Sequence, residues 1–197
     1  MFIRSLTLNN IRSFREPAPL ELGPLTVLIG PNAAGKTNLF DCVELLQASP
    51  NSLNNYVNSR GGAEAWIWKG AKSMQEPARL ACQFQIEPFD LSYQLTFASV
   101  ERALAIQEEK LSQPDYSYLT RRGVHLQIGS RGLPGLPDSE RETNIAPTQS
   151  VLENFRNPLD PTPITPTARA FSEIRTYTGF DTVRGPMRGS GRQRAAQ

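Results

Sequence analysis

The segment at residues 30–37 constrains this chain more than any other, because it reads glycine, four residues, glycine, lysine and threonine, as GPNAAGKT. A continuous apolar run at 25–29 precedes it, and apolar residues at helical spacing follow between 39 and 46. This order predicts a central strand buried on both faces, then a glycine-bounded loop, then a helix that ends before Pro50. The loop has the pattern of a phosphate-binding loop.

Each residue type in this loop meets a physical requirement. Gly30 and Gly35 let the backbone approach a phosphate closely, and the helix beginning near Gly35 adds the positive end of its dipole. Lys36 supplies a positive charge to the β- and γ-phosphates, and the Thr37 hydroxyl can fill one coordination position of a magnesium ion. We therefore expect the chain to bind a nucleoside triphosphate together with Mg²⁺.

Overall charge leaves the class of partner open. The 197 residues carry 21 basic and 19 acidic side chains, a net charge of +2 that is too close to balance to indicate nucleic-acid binding. The basic excess lies in residues 184–197, which contain four arginines and no acidic residue. Their composition of Gly, Arg, Ser, Gln and Ala predicts a flexible tail, so we expect the folded domain to span residues 1–183.

Cysteine usage and apolar runs predict the cellular setting. Cys42 and Cys82 stand in apolar stretches without the paired spacing of a zinc site or a disulfide scaffold. No apolar run approaches the ~20 residues of a membrane-spanning helix, and the N-terminus has no signal-peptide pattern. A cytoplasmic protein that makes no membrane contact is expected.

The middle of the chain is typical of antiparallel β-structure. Strand candidates at 79–86, 92–98 and 103–110 follow one another with no helical pattern between them. We therefore expect an α/β fold with an antiparallel lobe. Residues 132–166 are rich in proline and predict an extended connection. The other candidates are strands at 2–8, 20–22, 123–128 and 174–178 and helices at 150–157 and 167–172.

Residues that would complete a hydrolytic site are not evident in the sequence. Hydrolysis needs an acidic residue at the magnesium site and a group that orients water, yet no run of four apolar residues leads into an aspartate. The nearest approximation, at 104–109, is interrupted by Gln107. We expect no nucleotide hydrolysis above background by the isolated chain, and Glu108 and Glu109 are the first carboxylates to test if hydrolysis occurs.

Two segments resemble the head of the ATP-binding-cassette ATPases of the RecF/SMC/OLD-like group of AAA family ATPases. Residues 3–14 are similar to that group's first strand and its N-x-R-S-F turn, and residues 25–38 to its GPNGAGKSN loop, with Ala33 in place of a glycine. Weaker similarity extends the resemblance to residue 186. It implies the N-terminal half of a P-loop NTPase head. The signature motif, the Walker B acids and the switch histidine of the group would belong to a C-terminal half.

The resemblance also implies a ligand set. ATP and Mg²⁺ would be the cofactors, and the turn at 12–14 would lie beside the base and the α-phosphate. None of the four lysines follows an asparagine, as the guanine-reading Asn-Lys-x-Asp motif requires. Thr37 would also bind the metal. The predicted nucleotide-binding residues are Arg12, Ser13, Phe14, Gly30, Pro31, Asn32, Ala33, Ala34, Gly35, Lys36, Thr37 and Asn38.

Partners follow from the same resemblance. A half-head would leave the strand at 25–29 without parallel neighbours, so we expect self-association, or assembly with a C-terminal half or a second ATPase head. DNA is a further possible partner, through the tail arginines, in DNA repair or phage defence. Two alternatives stay open: a non-enzymatic nucleotide-binding or regulatory fragment of a truncated gene, and a small P-loop kinase.

Three other side chains have competing interpretations. Trp66 and Trp68, two residues apart, would share one face of a strand, where they either pack or form a platform for adenine or a partner. His125 is the single histidine, and a core or surface position fits it better than a switch role.

Overall fold

The computed structural model describes residues 1–70, 76–129, 140–155 and 162–177. Within these ranges the strands are β1 (Phe2–Asn9), β2 (Ala18–Glu21), β3 (Ala78–Ile86), β4 (Phe89–Val100), β5 (Ala103–Gln113), β6 (Tyr116–Arg122), β7 (His125–Gly129) and β8 (Glu140–Asn144). The helices are α1 (Lys36–Ala48), α2 (Leu53–Ser59), α3 (Ala63–Trp66), α4 (Val151–Asn154) and α5 (Ile164–Ser172). None of these helices is both long and apolar enough to cross a membrane.

The eight strands form one sheet in the order β2-β1-β3-β4-β5-β6-β7-β8. Every neighbouring pair is antiparallel. Strands β3 to β8 are neighbours in the chain and in space, so they form a meander, whereas β1 lies between β2 and β3. The glycine-bounded loop at 30–35 and the helices α1 to α3 all belong to the connection between β2 and β3. The molecule is thus a mixed α/β structure built on an antiparallel sheet.

Apolar and polar side chains alternate along the strands, so the sheet has one buried face and one polar face. In β3 the side chains of Leu80, Cys82 and Phe84 are buried while those of Arg79 and Gln83 are exposed. This period of two is the signal from which the strands at 79–86, 92–98 and 103–110 are predicted, and all three are confirmed, as is the antiparallel lobe.

The core lies between the buried face of the sheet and the helices. Phe171 of α5 packs against Phe84 and Tyr93, with ring centroids 5.2 and 5.3 Å apart. Leu45 and Leu46 of α1 are fully buried in the same cluster. Each such side chain contributes about 1.5–3 kcal/mol through its removal from water. This packing fixes α1, and with it the loop at its N-terminus, relative to the sheet.

The prediction of a buried central strand at 25–29 is wrong. Leu25, Val27 and Ile29 are 84%, 70% and 93% exposed, and the segment is not part of any strand. A β-strand needs the N–H and C=O groups of a neighbour. The described strands pair only with one another and offer 25–29 no parallel partner. The strand predicted at 174–178 is also wrong for its described part, 174–177.

Several boundaries and elements differ from the predictions. Trp66 ends α3 and is buried, whereas Trp68 is half-buried, so the two do not share the face of a strand. The sequence analysis missed α2, β6 and β8. Strand β8 has the sequence ERETN, which has no apolar alternation and is typical of a charged sheet edge. The predicted tail at 184–197, and parts of the proline-rich connection at 132–166, lie outside the described residues.

Candidate nucleotide site

The loop at 30–35 reverses direction before α1 begins. The Ala34 N–H donates to the carbonyl of Pro31 at 3.3 Å, and Ala33 has a φ of +66°. Gly35 has a φ of +86°, and a Cβ at this position would lie 2.8 Å from the Ser13 Oγ. Glycine is therefore favoured at 35, because its backbone angle disfavours a side chain and a Cβ there would require the Ser13 hydroxyl to move.

Lys36 folds back onto the start of the loop. Its Nζ donates to the carbonyl oxygens of Gly30 and Pro31 at 2.5 and 2.6 Å. The ammonium group therefore lies within the curve of the loop. Its partners are uncharged carbonyls, so within the described part of the chain no carboxylate neutralises the charge of Lys36.

The N-terminus of α1 is open to an anion. Its first helical hydrogen bond joins the Leu39 N–H to the Gly35 carbonyl at 3.0 Å, which leaves the N–H groups of residues 36–38 without intrahelical acceptors. No side chain caps the helix, and its first turn contains no acidic residue. Thr37 is exposed. Free N–H groups, a lysine and an accessible hydroxyl are a donor set that fits a phosphate group with its metal ion.

A second segment, the tight turn at residues 11–14, meets the loop at Gly35. The Ile11 N–H donates to the Phe14 carbonyl at 3.0 Å, and the Phe14 N–H to the Ile11 carbonyl at 2.8 Å. Ser13 and Phe14 are the side chains nearest to the position that a Cβ would occupy at Gly35. The Ser13 hydroxyl is exposed and has no hydrogen-bond partner among the described residues. The structure thus brings this turn and the loop together.

Arg12, in the same turn, is engaged by protein groups. Its Nη2 lies 3.3 Å from Asp41 Oδ2, its Nη1 donates to the Ala65 carbonyl at 3.0 Å, and its guanidinium carbon lies 3.9 Å from the centre of the Trp66 ring. The Nε is buried without an acceptor in the described part of the chain. Arg12 therefore faces α1 and Trp66.

Arg12 and its partners belong to a set of polar residues that we call the α1 charge cluster. The sequence analysis identified only Arg12 of this set as a site residue. The cluster is made of Arg12, Asp41, Glu44, Tyr56, Arg60 and Thr176. Arg60 contacts Asp41 at 3.1 Å and Glu44 at 2.7 Å. Tyr56 and Thr176 each donate to Glu44 at 2.7 Å. The available signal was the pair of carboxylates one helical turn apart among the apolar residues in the middle of α1.

The pKa values in this cluster follow from these contacts. Burial alone would raise the pKa of Glu44, but hydrogen bonds from Tyr56 and Thr176 and the charge of Arg60 outweigh it and lower the pKa below 4.5. Burial, and then the hydrogen bond to Glu44, raise the pKa of Tyr56. Glu44 is thus a bound carboxylate rather than a proton acceptor.

The candidate carboxylates of the middle segment do not reach the loop. Glu109 is fully buried and accepts hydrogen bonds from Tyr93 at 3.0 Å, from Ser150 at 2.7 Å and from the Val151 N–H at 2.8 Å. Burial raises the pKa of Glu109, although these donors and the charge of Arg121 at 3.8 Å oppose that effect. Glu109 therefore joins β4, β5 and α4.

Glu108 lies on the opposite, polar face of the sheet. It accepts from Gln94 at 3.3 Å and lies 3.9 Å from Arg79. His125 is exposed at the start of β7. Within the described part of the chain neither forms a hydrogen bond or ion pair with the loop, so among the described candidate residues the structure brings together the turn at 11–14 and the loop at 30–38.

A family of known proteins matches the part of the chain that holds the turn at 11–14 and the loop at 30–35. Residues 5–66 match a family model described as an AAA domain. This range contains the second half of β1, the turn at 11–14, the loop at 30–35 and α1 to α3. It also includes every member of the α1 charge cluster except Thr176.

Curated relatives match parts of the chain. A DNA replication and repair protein RecF from Synechococcus sp. is 48% identical over 46 residues, 23% of this chain and 12% of the relative. Another from Thermosynechococcus vestitus is 44% identical over 95 residues, 48% of this chain and 23% of the relative. A chromosome partition protein Smc from Desulfitobacterium hafniense is 34% identical over 82 residues, 41% of this chain and 6% of the relative.

The matched stretches thus span between 6% and 23% of the length of these three relatives. Two kinds of curated relative and one family model agree on the group of proteins that this chain resembles. The resemblance of this chain to the RecF- and SMC-like group of AAA family ATPases is thereby confirmed.

Proposed function

We propose that this chain is the ATP-binding N-terminal lobe of a RecF/SMC-like P-loop ATPase head, acting in the cytoplasm. The observation that carries the proposal is the convergence at Gly35 of three features: the lysine-bearing loop, the open N-terminus of α1 and the turn at 11–14. The loop and the N-terminus of α1 are continuous in the sequence, whereas the turn belongs to a separate segment that follows β1. They meet where a polyphosphate would need donors from several directions.

Each group has a distinct task in this proposal. Backbone N–H groups of residues 35–38 would bind phosphate oxygens, and Lys36 would balance the charge of the β- and γ-phosphates. The Thr37 hydroxyl would hold Mg²⁺, which neutralises charge on the triphosphate when bound. Ser13, Phe14 and the backbone of Arg12 would border the α-phosphate and the base. The remaining loop residues, Gly30, Pro31, Asn32, Ala33, Ala34 and Asn38, shape the cradle.

Hydrolysis by this chain alone is not part of the proposal. Asp41 and Glu44, the carboxylates of α1, are bound to arginines. A residue that orients water must be free to accept a proton or a hydrogen bond from it. Catalysis would therefore need groups from a second polypeptide segment, either a C-terminal half or a second head.

The apolar segment at 25–29 is the proposed contact for that partner. Its exposed Leu25, Val27 and Ile29 and its unpaired backbone suit the addition of a neighbouring strand. The curated relatives carry the names DNA replication and repair protein and chromosome partition protein. By this likeness we propose that the assembled head acts on DNA, in repair or chromosome maintenance.

Titration with a fluorescent ATP analogue and Mg²⁺ tests the proposal. We expect weak binding by the wild-type chain and none by Lys36→Ala. Lys110→Ala is the matched control, because it removes one exposed lysine from the polar face of β5. It should bind like the wild type. Equal affinity of the wild-type and Lys36→Ala proteins would overturn the assignment of the loop.

A further inference from the structure

Asp41 occupies a central position between the loop and the rest of the protein. It lies one helical turn beyond Thr37 on α1, so both side chains share a face of the helix. Its carboxylate is nearly buried and contacts two arginines, Arg12 at 3.3 Å and Arg60 at 3.1 Å. Neither contact is explained by the binding of phosphate at the loop.

The backbone of Arg12 is held in an uncommon conformation. Its φ of +52° is in the left-handed region, which is unfavourable for a residue with a long side chain. Such an angle persists when surrounding contacts outweigh its cost. Here the Arg12 N–H donates to the Trp66 carbonyl at 2.7 Å, and the guanidinium group is held by Asp41 and the Trp66 ring.

This conformation determines where the next residue points. Ser13 follows Arg12 at the tip of the turn, and its hydroxyl lies at the backbone of Gly35 with no described partner. A change in the Arg12 conformation would move that hydroxyl away from the loop. The contact of Arg12 with α1 therefore controls the position of the Ser13 hydroxyl beside Gly35.

We propose that Asp41 is a positioning residue of the nucleotide site, which acts through Arg12 to hold the Ser13 hydroxyl beside Gly35. The inference rests on the proposed function, since it assigns Asp41 a role in ATP binding. It also assigns Arg12 to its protein partners rather than to a phosphate group. A competing arrangement, in which ATP draws Arg12 away from Asp41, makes the opposite prediction.

The direction in which one substitution changes the affinity for ATP distinguishes the two arrangements. Asp41→Asn removes a negative charge near a site for a polyanion, which by Coulomb's law alone would tighten ATP binding. It would also release Arg12 toward the phosphates in the competing arrangement. If Asp41 acts by position, the same substitution weakens ATP binding despite the more favourable charge. We expect a loss of about tenfold, the range of one charge-assisted hydrogen bond.

Glu44→Gln is the matched control. Glu44 lies on the same face of α1, bears the same charge and contacts the same Arg60, at 2.7 Å, but it does not contact Arg12. Its substitution reproduces the charge change and the partial release of Arg60. Arg12→Lys is a second test variant, because it keeps the charge but loses the planar stacking on Trp66.

The experiment measures two properties of each full-length variant, its affinity for MgATP and the amide hydrogen exchange of residues 11–14. We expect Asp41→Asn and Arg12→Lys to weaken ATP binding and to speed exchange at Phe14, whose N–H bonds Ile11. Glu44→Gln should keep wild-type values of both properties. Unchanged or tighter ATP binding by Asp41→Asn would overturn the inference, and so would an equal loss in Glu44→Gln.

The hydrogen-exchange measurement distinguishes a failure of the positioning role of Asp41 from a failure of the proposed function. If the wild-type chain binds no ATP, the proposed function and the role of Asp41 in ATP binding both fail. Exchange at Phe14 then still shows whether Asp41 holds the turn. If the wild type binds ATP and Asp41→Asn leaves exchange at Phe14 unchanged, only the positioning role is overturned.

Discussion

At Gly35 two independent restrictions disfavour a side chain. Its φ of +86° disfavours any residue with a Cβ, and that Cβ would meet the Ser13 hydroxyl at 2.8 Å. The first restriction acts on the backbone and the second on a side chain that can be removed. The two effects can therefore be separated by mutation.

Gly35→Ala should lower the free energy of unfolding by about 1–2 kcal/mol, the cost of the left-handed region for a residue with a side chain. Adding Ser13→Ala should restore only the part of the lost unfolding free energy that is due to the close contact. Denaturant unfolding measures both. Gly23→Ala is the control, because a Cβ there would meet only the Leu25 carbonyl at an ordinary 3.5 Å. An equal loss at both glycines would contradict the special role of Gly35.

Glu44 makes stability depend on acid pH. Because its pKa is lowered below 4.5 in the folded state, Glu44 binds a proton more readily in the unfolded chain. The stability that it contributes is complete above 4.5 and is lost as the pH falls through the lower, folded-state pKa. Glu44→Gln cannot titrate and should lose less stability between pH 5 and strongly acidic pH.

Urea unfolding at a series of pH values checks this expectation. The difference in unfolding free energy between the wild-type and Glu44→Gln proteins should shrink as the pH falls below 4.5. Glu64→Gln, at an exposed position of α3, should follow the wild-type curve. A difference that stays constant with pH would show that Glu44 does not titrate differently on folding.

Among the secondary-structure elements, β4, β5 and α4 are joined by the carboxylate of Glu109. Glu109→Ala removes an acceptor from Tyr93, Ser150 and the Val151 N–H. It also removes the carboxylate that lies 3.8 Å from the buried Arg121. We expect a loss of about 3 kcal/mol in unfolding free energy. Since Glu109 does not contact the loop, ATP affinity at a temperature where the variant is folded should be unchanged. A selective loss of ATP binding would contradict this structural role.

The reactivity of two buried thiols, Cys42 in α1 and Cys82 in β3, shows whether these elements open in the native protein. Cys42 is fully buried, and burial, partly offset by Arg12, raises its pKa to about 12, while burial also raises the pKa of Cys82. Neither forms a disulfide. Both should resist a thiol-specific reagent at pH 8 in the native protein and react after denaturation. Rapid native labelling of Cys42 alone would show that α1 opens locally.

The elements that could be predicted depend on information within short segments. The strand at 79–86 is evident because Leu80, Cys82 and Phe84 alternate with polar residues. The apolar run at 25–29 has an equally strong local pattern, yet its pairing depends on a neighbour that the described chain does not supply. The loop and its glycines were likewise predictable from local sequence. The Arg12–Asp41 contact was not, because it depends on how β1 and α1 pack.

For the molecule as a whole, the exposed apolar segment predicts self-association. Leu25 and Val27 are 84% and 70% exposed in a segment with no strand partner. We expect the wild-type chain to form oligomers or aggregates, and the double variant Leu25→Gln, Val27→Gln to be more nearly monomeric. Size-exclusion chromatography with light scattering measures the mass.

Val100→Gln provides the control for that comparison. Val100 is 54% exposed at the hairpin between β4 and β5, away from the segment at 25–29. This variant should associate like the wild type. A wild-type chain that remains a 21.9 kDa monomer over a wide concentration range would contradict the proposed partner contact.

The position of β1 in the sheet has a consequence for the order of folding. The meander from β3 to β8 forms from neighbouring hairpins, whereas β1 pairs with β3 only after the whole segment 10–78 has been closed into a loop. Contacts of that length form late, so the final placement of β1, and with it that of Ser13 beside Gly35, should be among the last steps. A nucleotide that bridges these two residues would then slow unfolding and leave the rate of refolding unchanged, which stopped-flow measurements with and without MgATP can resolve.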